Sequence, residues 1–187
     1  MNPPAETLQI RAATLDDLGA MEQLIEASVR TLQAGDYTAA QLDGALRAVY
    51  GVDRQLIRDG TYFVVVSGAR IVGCGGWSRR RTLYGGDAVA GKDDSALQPG
   101  VDAARIRAFF VAPDCARQGI GGLLLAHCEQ AAQAYGFSDL ELAATLTGVA
   151  LYRRYGFAGT EQEDVPLPGG LTLPVVRMRK TLARGVT

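Results

Sequence analysis

Phe109-Phe110-Val111-Ala112-Pro113-Asp114-Cys115-Ala116-Arg117-Gln118-Gly119-Ile120-Gly121-Gly122 is the stretch that decides the fold. An apolar run stops at a proline, crosses a short polar loop and meets glycines. Beyond them Ile120, Leu124, Cys128, Ala131 and Tyr135 recur at helical spacing on one face. The reading is strand, loop, helix. The first amides of a helix have no partners within it and stand at the positive end of its dipole. The amides from Arg117 to Gly122 are therefore a ready site for a phosphate or pyrophosphate.

The pattern extends outward in both directions. Leu8-Gln9-Ile10-Arg11-Ala12 alternates as a short strand. Thr14 and Asp17 form a capping-box-like start for a helix carrying Leu15, Leu18, Met21, Leu24, Ile25 and Val29, which ends at Gly35-Asp36. Thr38 and Gln41 make a second capping box before Leu42, Ala45, Leu46 and Val49. Tyr62–Val66 and Ile71–Trp77 read as a hairpin after the turn Asp59-Gly60. From about Arg79 to Ala104 the chain is rich in Gly and Asp without period, a long loop that is either functional or mobile. Ile106–Val111 is the strand that enters the glycine loop. Gly136 ends the following helix, with Phe137 supplying the accompanying apolar contact. Leu140–Ala144 is a strand, Gly148–Tyr155 a short helix stopped by Gly156, and the tail a hairpin turning at 166–170. The order β-α-α-β-β-β-α-β-α-β-β predicts an α/β fold around one mixed sheet. No internal repeat or linker divides the chain, so residues 1–187 read as a single domain.

Composition narrows the function classes. Apolar residues at 48% and charged residues at 21% fit a globular soluble chain. A formal net charge of -1 speaks against nucleic acid as a partner. No apolar run approaches the roughly 20 residues needed to cross a bilayer, so no membrane is expected. Met1–Glu6 lacks the basic and apolar regions of a signal peptide. Cys74, Cys115 and Cys128 are an odd set without a close pair, read as free thiols in a reducing cytoplasm. His127 is the single histidine, which leaves no inventory for a metal site or a His-based triad.

Three phosphate-binding readings compete. A Walker loop needs Lys followed by Ser or Thr after its second glycine, where Gly122 and Leu123 stand. A dinucleotide fingerprint needs a third glycine where Leu124 stands, and its glycines directly after the strand. Here seven residues separate Val111 from Gly119. The third reading joins the loop to a distant motif, Leu151-Tyr152-Arg153-Arg154-Tyr155-Gly156-Phe157. Strand, Pro-Asp, Arg-Gln-Gly-Ile-Gly-Gly, helix, strand and Tyr-x-x-x-Gly-Phe together resemble the GNAT superfamily of N-acetyltransferases. One departure stands out: the family loop usually begins with Gln or Arg three residues before its first glycine, where Ala116 stands.

The resemblance implies a GNAT-like mixed central sheet with helices on both faces. It implies acetyl-CoA as co-substrate, no metal, and a small-molecule or peptide amine as acceptor. The pyrophosphate would lie on the amides of Arg117, Gln118, Gly119, Ile120, Gly121 and Gly122. The pantetheine arm would run along Phe109, Phe110 and Val111 like an added strand, one of whose backbone N–H groups would steady the oxyanion. Tyr152 would be the general acid for the leaving thiolate, and Tyr155 a packing residue. Glu141 is the nearest acidic match for a general base, and a solvated strand residue is the equal alternative; Arg105 and Arg107, in the strand where many relatives carry that base, cannot serve. The expected reaction is direct attack in a ternary complex. A non-catalytic acyl-CoA-binding regulatory module and a dinucleotide-binding oxidoreductase stay open. A homodimer is the default small assembly.

Other residues read more plainly. His127 is expected on the helix surface, Cys115 as a small loop residue, and Cys74 and Cys128 in the core. Arg79-Arg80-Arg81 is either a solvated basic turn or a rim that attracts anions. By the resemblance, Ser28, Arg30, Asp36, Tyr37 and the 79–104 loop lie towards the acceptor.

Overall fold

The computed structural model describes residues 7–183, so Met1–Glu6, where a targeting signal was sought, lies outside the described residues. The elements run β1 (Leu8–Ala12), α1 (Leu18–Leu32), α2 (Ala39–Ala48), α3 (Arg54–Arg58), β2 (Tyr62–Ser67), β3 (Arg70–Ser78), β4 (Ala104–Val111), α4 (Ile120–Tyr135), β5 (Asp139–Thr145), α5 (Val149–Arg154), β6 (Ala158–Pro166) and β7 (Thr172–Thr181). The one element not foreseen is α3. Five residues are too few to show a helical period, although its cap is legible in hindsight: the Asp53 carboxylate accepts from the Gln55 N–H at 2.9 Å.

The strands form one seven-stranded sheet in the order β1-β2-β3-β4-β5-β7-β6. All neighbours are antiparallel except β4 and β5. A parallel pair requires a crossover, and α4 supplies it. Met21, Leu24, Ile25 and Val29 of α1 are buried, as are Leu124, Leu125, Cys128 and Ala132 of α4, so helices close both faces of the sheet. Gly136 adopts a left-handed conformation and ends α4; the Phe137 N–H then donates to the Ala132 carbonyl at 3.1 Å and its ring is buried. Tyr135 stacks on Phe137 instead of entering the core, and the Arg79 guanidinium lies 5.3 Å from its ring centre.

Two departures from regular pairing make room for a site. The β4–β5 register covers Ala104↔Leu140 and Arg105↔Glu141, and the strands then part. The 79–104 segment is not the formless loop its composition suggests. Arg80 bridges Ala96, and the Arg81 and Thr82 amides donate to the Ser95 and Asp93 carbonyls. Its tip is tied to the α2–α3 connection: the Gly86 and Asp87 amides donate to the Val49 and Val52 carbonyls at 2.8 and 3.1 Å, and Arg54 pairs with Asp87 at 2.9 Å.

The start of α2 is a measurable joint in this frame. The Gln41 N–H donates to Thr38 Oγ1 at 3.2 Å, the Thr38 N–H donates to Gln41 Oε1 at 2.9 Å, and Gln41 reaches on to the Thr172 carbonyl. Thr38→Ala should cost about 1 kcal/mol in urea unfolding, or roughly 2–4 °C in Tm for a chain of this size.

Candidate active site

The site begins with a flaw in β4. Gly76 faces Arg107 and Cys74 faces Phe110, so Ala108 and Phe109 share one opposing residue, Gly75. This is a β-bulge, which bends a strand and re-aims the side chains beyond it. Ala108 carries the strain at φ +58°, uncommon for a residue with a Cβ. Its carbonyl is held from beneath: the Tyr62 hydroxyl donates to it at 3.4 Å, and the Cys74 thiol lies 3.9 Å away. Burial pushes the Tyr62 hydroxyl and the Cys74 thiol above their ordinary pKa values, the thiol to about 12, so both keep their protons. Past the bulge, the Ala112 N–H donates to the Val72 carbonyl at 2.9 Å. Alternation then turns the Val111 amide towards the edge that β5 has left. There it donates to Ser28 Oγ of α1 at 3.3 Å.

The glycine loop follows. Arg70 grips Asp114 through two bonds of 2.6 and 2.7 Å and pins the loop to the start of β3, holding the Asp114 carboxyl at a pKa of about 2. Arg117 and Gly119 both take positive φ, +62° and +86°. Among the described residues, no protein group accepts from the amides of Arg117 through Gly122, and the first intrahelical bond of α4 is Leu123 N–H to the Gly119 carbonyl. Alternating conformations of this kind turn successive amides towards one point and make an anion nest. Tyr155 closes one side. A Cβ placed on Gly122 would lie 1.9 Å from its hydroxyl, so only glycine lets α5 approach the first turn of α4 so closely. Tyr155 thus packs, as expected, and the surface it packs on is the nest.

A cavity of about 160 Å³ connects these parts, and its lining includes Phe109, Phe110 and Val111 of β4, Gly121 of α4, and Tyr152 of α5. Tyr152 is buried between Phe109 and Phe157, with ring centres 6.2 and 5.7 Å away. Desolvation raises its pKa above that of an ordinary phenol. Its hydroxyl makes no hydrogen bond to any other described residue, which leaves a free donor on the wall. The turn leading to Tyr152 is fixed from the α1 end. The Tyr37 hydroxyl donates to the Pro174 carbonyl at 2.7 Å and accepts from the Leu146 N–H at 2.8 Å, while Thr147 donates to Asp36 at 2.6 Å. Arg30 is tied to Glu26 and Asp43 at the surface.

The structure does not bring Glu141 to the cavity. It is 1% exposed and surrounded by guanidinium groups: Arg105 donates to Oε2, and Arg177 and Arg179 approach Oε1 at 2.5 and 3.0 Å. Arg105, in turn, is pushed below its ordinary pKa by desolvation first and by Arg177 and Arg179 next. Sequence reasoning saw Arg107 as a residue that could not be a base. The structure sets it in the cavity wall, with Nη2 2.8 Å from Asp53 and also donating to the Gly85 carbonyl. Lys92 reaches the same Asp53 oxygen at 3.2 Å. Tyr50, Tyr84 and Gly85 complete the far wall, and no local pattern could have announced them: two lie in the aperiodic loop, and Tyr50 follows the end of α2. Arg80 and Arg79 both pair with the nearly buried Asp59, and Arg81 lies 4.0 Å from Asp102, so the basic triplet is a brace.

The sheet thus opens between two parallel strands, beside a nest of amides without protein partners. The family model described as an acetyltransferase (GNAT) domain matches residues 58–158, more than half of the chain, and the chain belongs to that acyltransferase family. Among solved structures, a GCN5-related N-acetyltransferase from Rhodopseudomonas palustris superposes with a TM-score of 0.69 at 19% identity, covering 97% of this chain and 100% of that one. The PaiA N-acetyltransferase from Thermoplasma acidophilum, solved with coenzyme A, gives 0.64 at 13% identity over 94% and 99%. A ribosomal-protein-alanine N-acetyltransferase from Brucella melitensis gives 0.61 at 20% identity over 93% and 99%. At these identities the likeness is one of fold. No curated protein matches the chain significantly. No helix among the described residues is long and apolar enough to cross a membrane.

The Glu141 cluster makes a prediction about stability. Removing one partner of a buried ion pair leaves the others uncompensated, at a cost of about 3–5 kcal/mol. Glu141→Gln should lower unfolding stability by about 3 kcal/mol in urea titrations, whereas Glu161→Gln on exposed β6 should change it by less than about 0.5 kcal/mol.

Proposed function

We propose that this chain, as one domain, transfers an acetyl group from acetyl-CoA to a primary amine by direct attack in a ternary complex. The carrying observation is that the open edge of β4, Gly121 of the amide nest and Tyr152 line one cavity. In this reading the amides of Arg117–Gly122 hold the pyrophosphate, and Phe109–Val111 present backbone to the pantetheine arm. Neither task needs a side chain at position 116, so Ala116 is no obstacle. The coenzyme A bound to the Thermoplasma protein supports the same ligand here. A soluble cytoplasmic protein, and a homodimer, fit this proposal.

The chemistry asks for three things. The amine must arrive neutral, because an ammonium has no lone pair and a free alkylamine titrates near the roughly 10.4 of lysine. The nitrogen then attacks the thioester carbon, a C–N bond forms, and the negative charge on oxygen is met by an N–H of the Phe109–Val111 strand. The Val111 amide is the best-placed donor, since its present partner is a single long bond to Ser28. The C–S bond breaks last, and the thiolate takes the Tyr152 proton. A thiol with a pKa near 8.5 in water is a poor match for a phenol raised above 10. The same desolvation that raises Tyr152 also raises a buried thiol, which narrows the gap. The proton lost by the amine leaves through water, and Glu141 stays out of proton transfer because its oxygens are occupied by Arg105, Arg177 and Arg179.

Tyr152→Phe keeps the ring packed against Phe109 and Phe157 and removes the proton. It should lower kcat by about 10²-fold, as general acids do, and leave the acetyl-CoA Kd within about twofold. An unchanged kcat would remove Tyr152 from the mechanism. Because burial raises the Tyr152 pKa, the wild-type kcat should show no falling alkaline limb below about pH 10. Calorimetry with acetyl-CoA, CoA and NADH tests the ligand class: binding of NADH without CoA would overturn the proposal. Thiol release across an amine panel separates an enzyme from a regulatory module that binds acyl-CoA without turnover.

A further inference from the structure

We propose that the acceptor amine carries a carboxylate, and that Arg107 is the group that binds it. This rests on the acetyl-transfer reading above. Among the described residues lining the cavity, Arg107 is the one with a formal charge; the rest of the wall is aliphatic side chains, glycine backbone, Thr145, Phe109, Phe110 and the tyrosines 50, 84 and 152. Arg107 is 5% exposed, and its buried Nε has no hydrogen-bond partner among the described residues. Native structures rarely leave a buried charged donor unsatisfied, because the desolvation cost is not recovered.

The charges around it leave that Nε unserved. Lys92 and Arg107 converge on one Asp53 oxygen, at 3.2 and 2.8 Å, with only 12% and 3% of their side chains exposed. Asp94 adds a second negative charge within electrostatic reach of Arg107 but no hydrogen bond to it. A planar guanidinium is the side chain best shaped to take a carboxylate. A second ammonium, as in a polyamine, would find no carboxylate on this wall and a cation instead. The ligand class is therefore an amino acid, its amine towards Val111 and its carboxylate towards Arg107.

The test compares each protein amino acid with its α-amide, a pair differing only in the charge the proposal invokes. Thiol release from acetyl-CoA is measured for both sets, and the N-acetylated forms of the same pairs are titrated calorimetrically into CoA-loaded protein. At least one acid should exceed its amide by tenfold or more in kcat/KM or in affinity. Arg107→Gln should bring that ratio to about one. If amides are used or bound as well as acids, or no acid is used or bound, the inference falls. Turnover of amides alone leaves the transferase reading standing without it. Carboxylate-dependent binding with no thiol release from any amine removes the transferase reading and keeps the Arg107 site. Should Arg107→Gln fail to fold, the acid-to-amide ratio of the wild-type protein decides alone.

Discussion

β4 loses its partner on one side after Arg105 and must still be held straight enough to form a wall. A strand edge without a partner presents unpaired backbone groups, which sheets normally cover or pair. Here the edge is kept open by anchoring the strand from elsewhere. β3 holds it through Phe110 and Val111, Tyr62 holds the Ala108 carbonyl at the bulge, and Ser28 holds the Val111 amide from α1. A residue with a Cβ at positive φ costs of order 1–3 kcal/mol. Ala108 persists there because its neighbours are fixed: Tyr62 is fully buried beneath it, and Arg107, one residue before, is tied to Asp53 and Gly85. The strain is local and its effect is not, since the bulge decides which residues of β4 face the cavity.

The second anchor is at the glycine loop. Free amides are useful to a ligand only if the loop holds them together, and Arg70–Asp114 does this across 44 residues of sequence. That pair is exposed on both sides, and in isolation such pairs contribute little stability. Its value is geometric, because it fixes the turn that Pro113 begins. Tyr155 against Gly122 sets the opposite limit. Tyr152 and Tyr155 sit in one short helix, so the packing of one against the nest also sets the position of the other in the cavity wall.

How far the sequence could be read depended on whether a function was local. The strand–loop–helix from Phe109 to Gly122 is contiguous, and its amides are left without protein partners, as their place at a helix start implies. The place of Tyr152 in the cavity wall follows from its fixed spacing to Gly156-Phe157. The capping boxes at Thr14 and Thr38 were legible for the same reason. Arg107 was passed over because its meaning comes from Asp53 and Lys92, which are 54 and 15 residues away and share no pattern with it. Glu141 misled for a related cause. Strand alternation puts it on the same face as Ala143 and Thr145, which do line the cavity, but it stands in the rank where β4 and β5 are still paired. Its neighbours across the sheet, Arg105 of β4 and Arg177 and Arg179 of β7, come from two segments distant in sequence.

Arg105 and Arg107 occupy alternate positions of β4, on the face where a carboxylate base was sought. Each has a buried acidic partner, but the two balances differ. Glu141 faces three guanidinium groups at a place where Arg179 remains 69% exposed, so water helps to settle the charge. Asp53 faces Lys92 and Arg107, both largely withdrawn from solvent. The two residues therefore differ in what they can offer a ligand. Arg105 is spent on Glu141, away from the cavity, whereas Arg107 stands in the cavity wall with its Nε unpartnered. Position along one strand, two residues apart, separates a structural ion pair from a group still able to take an anion.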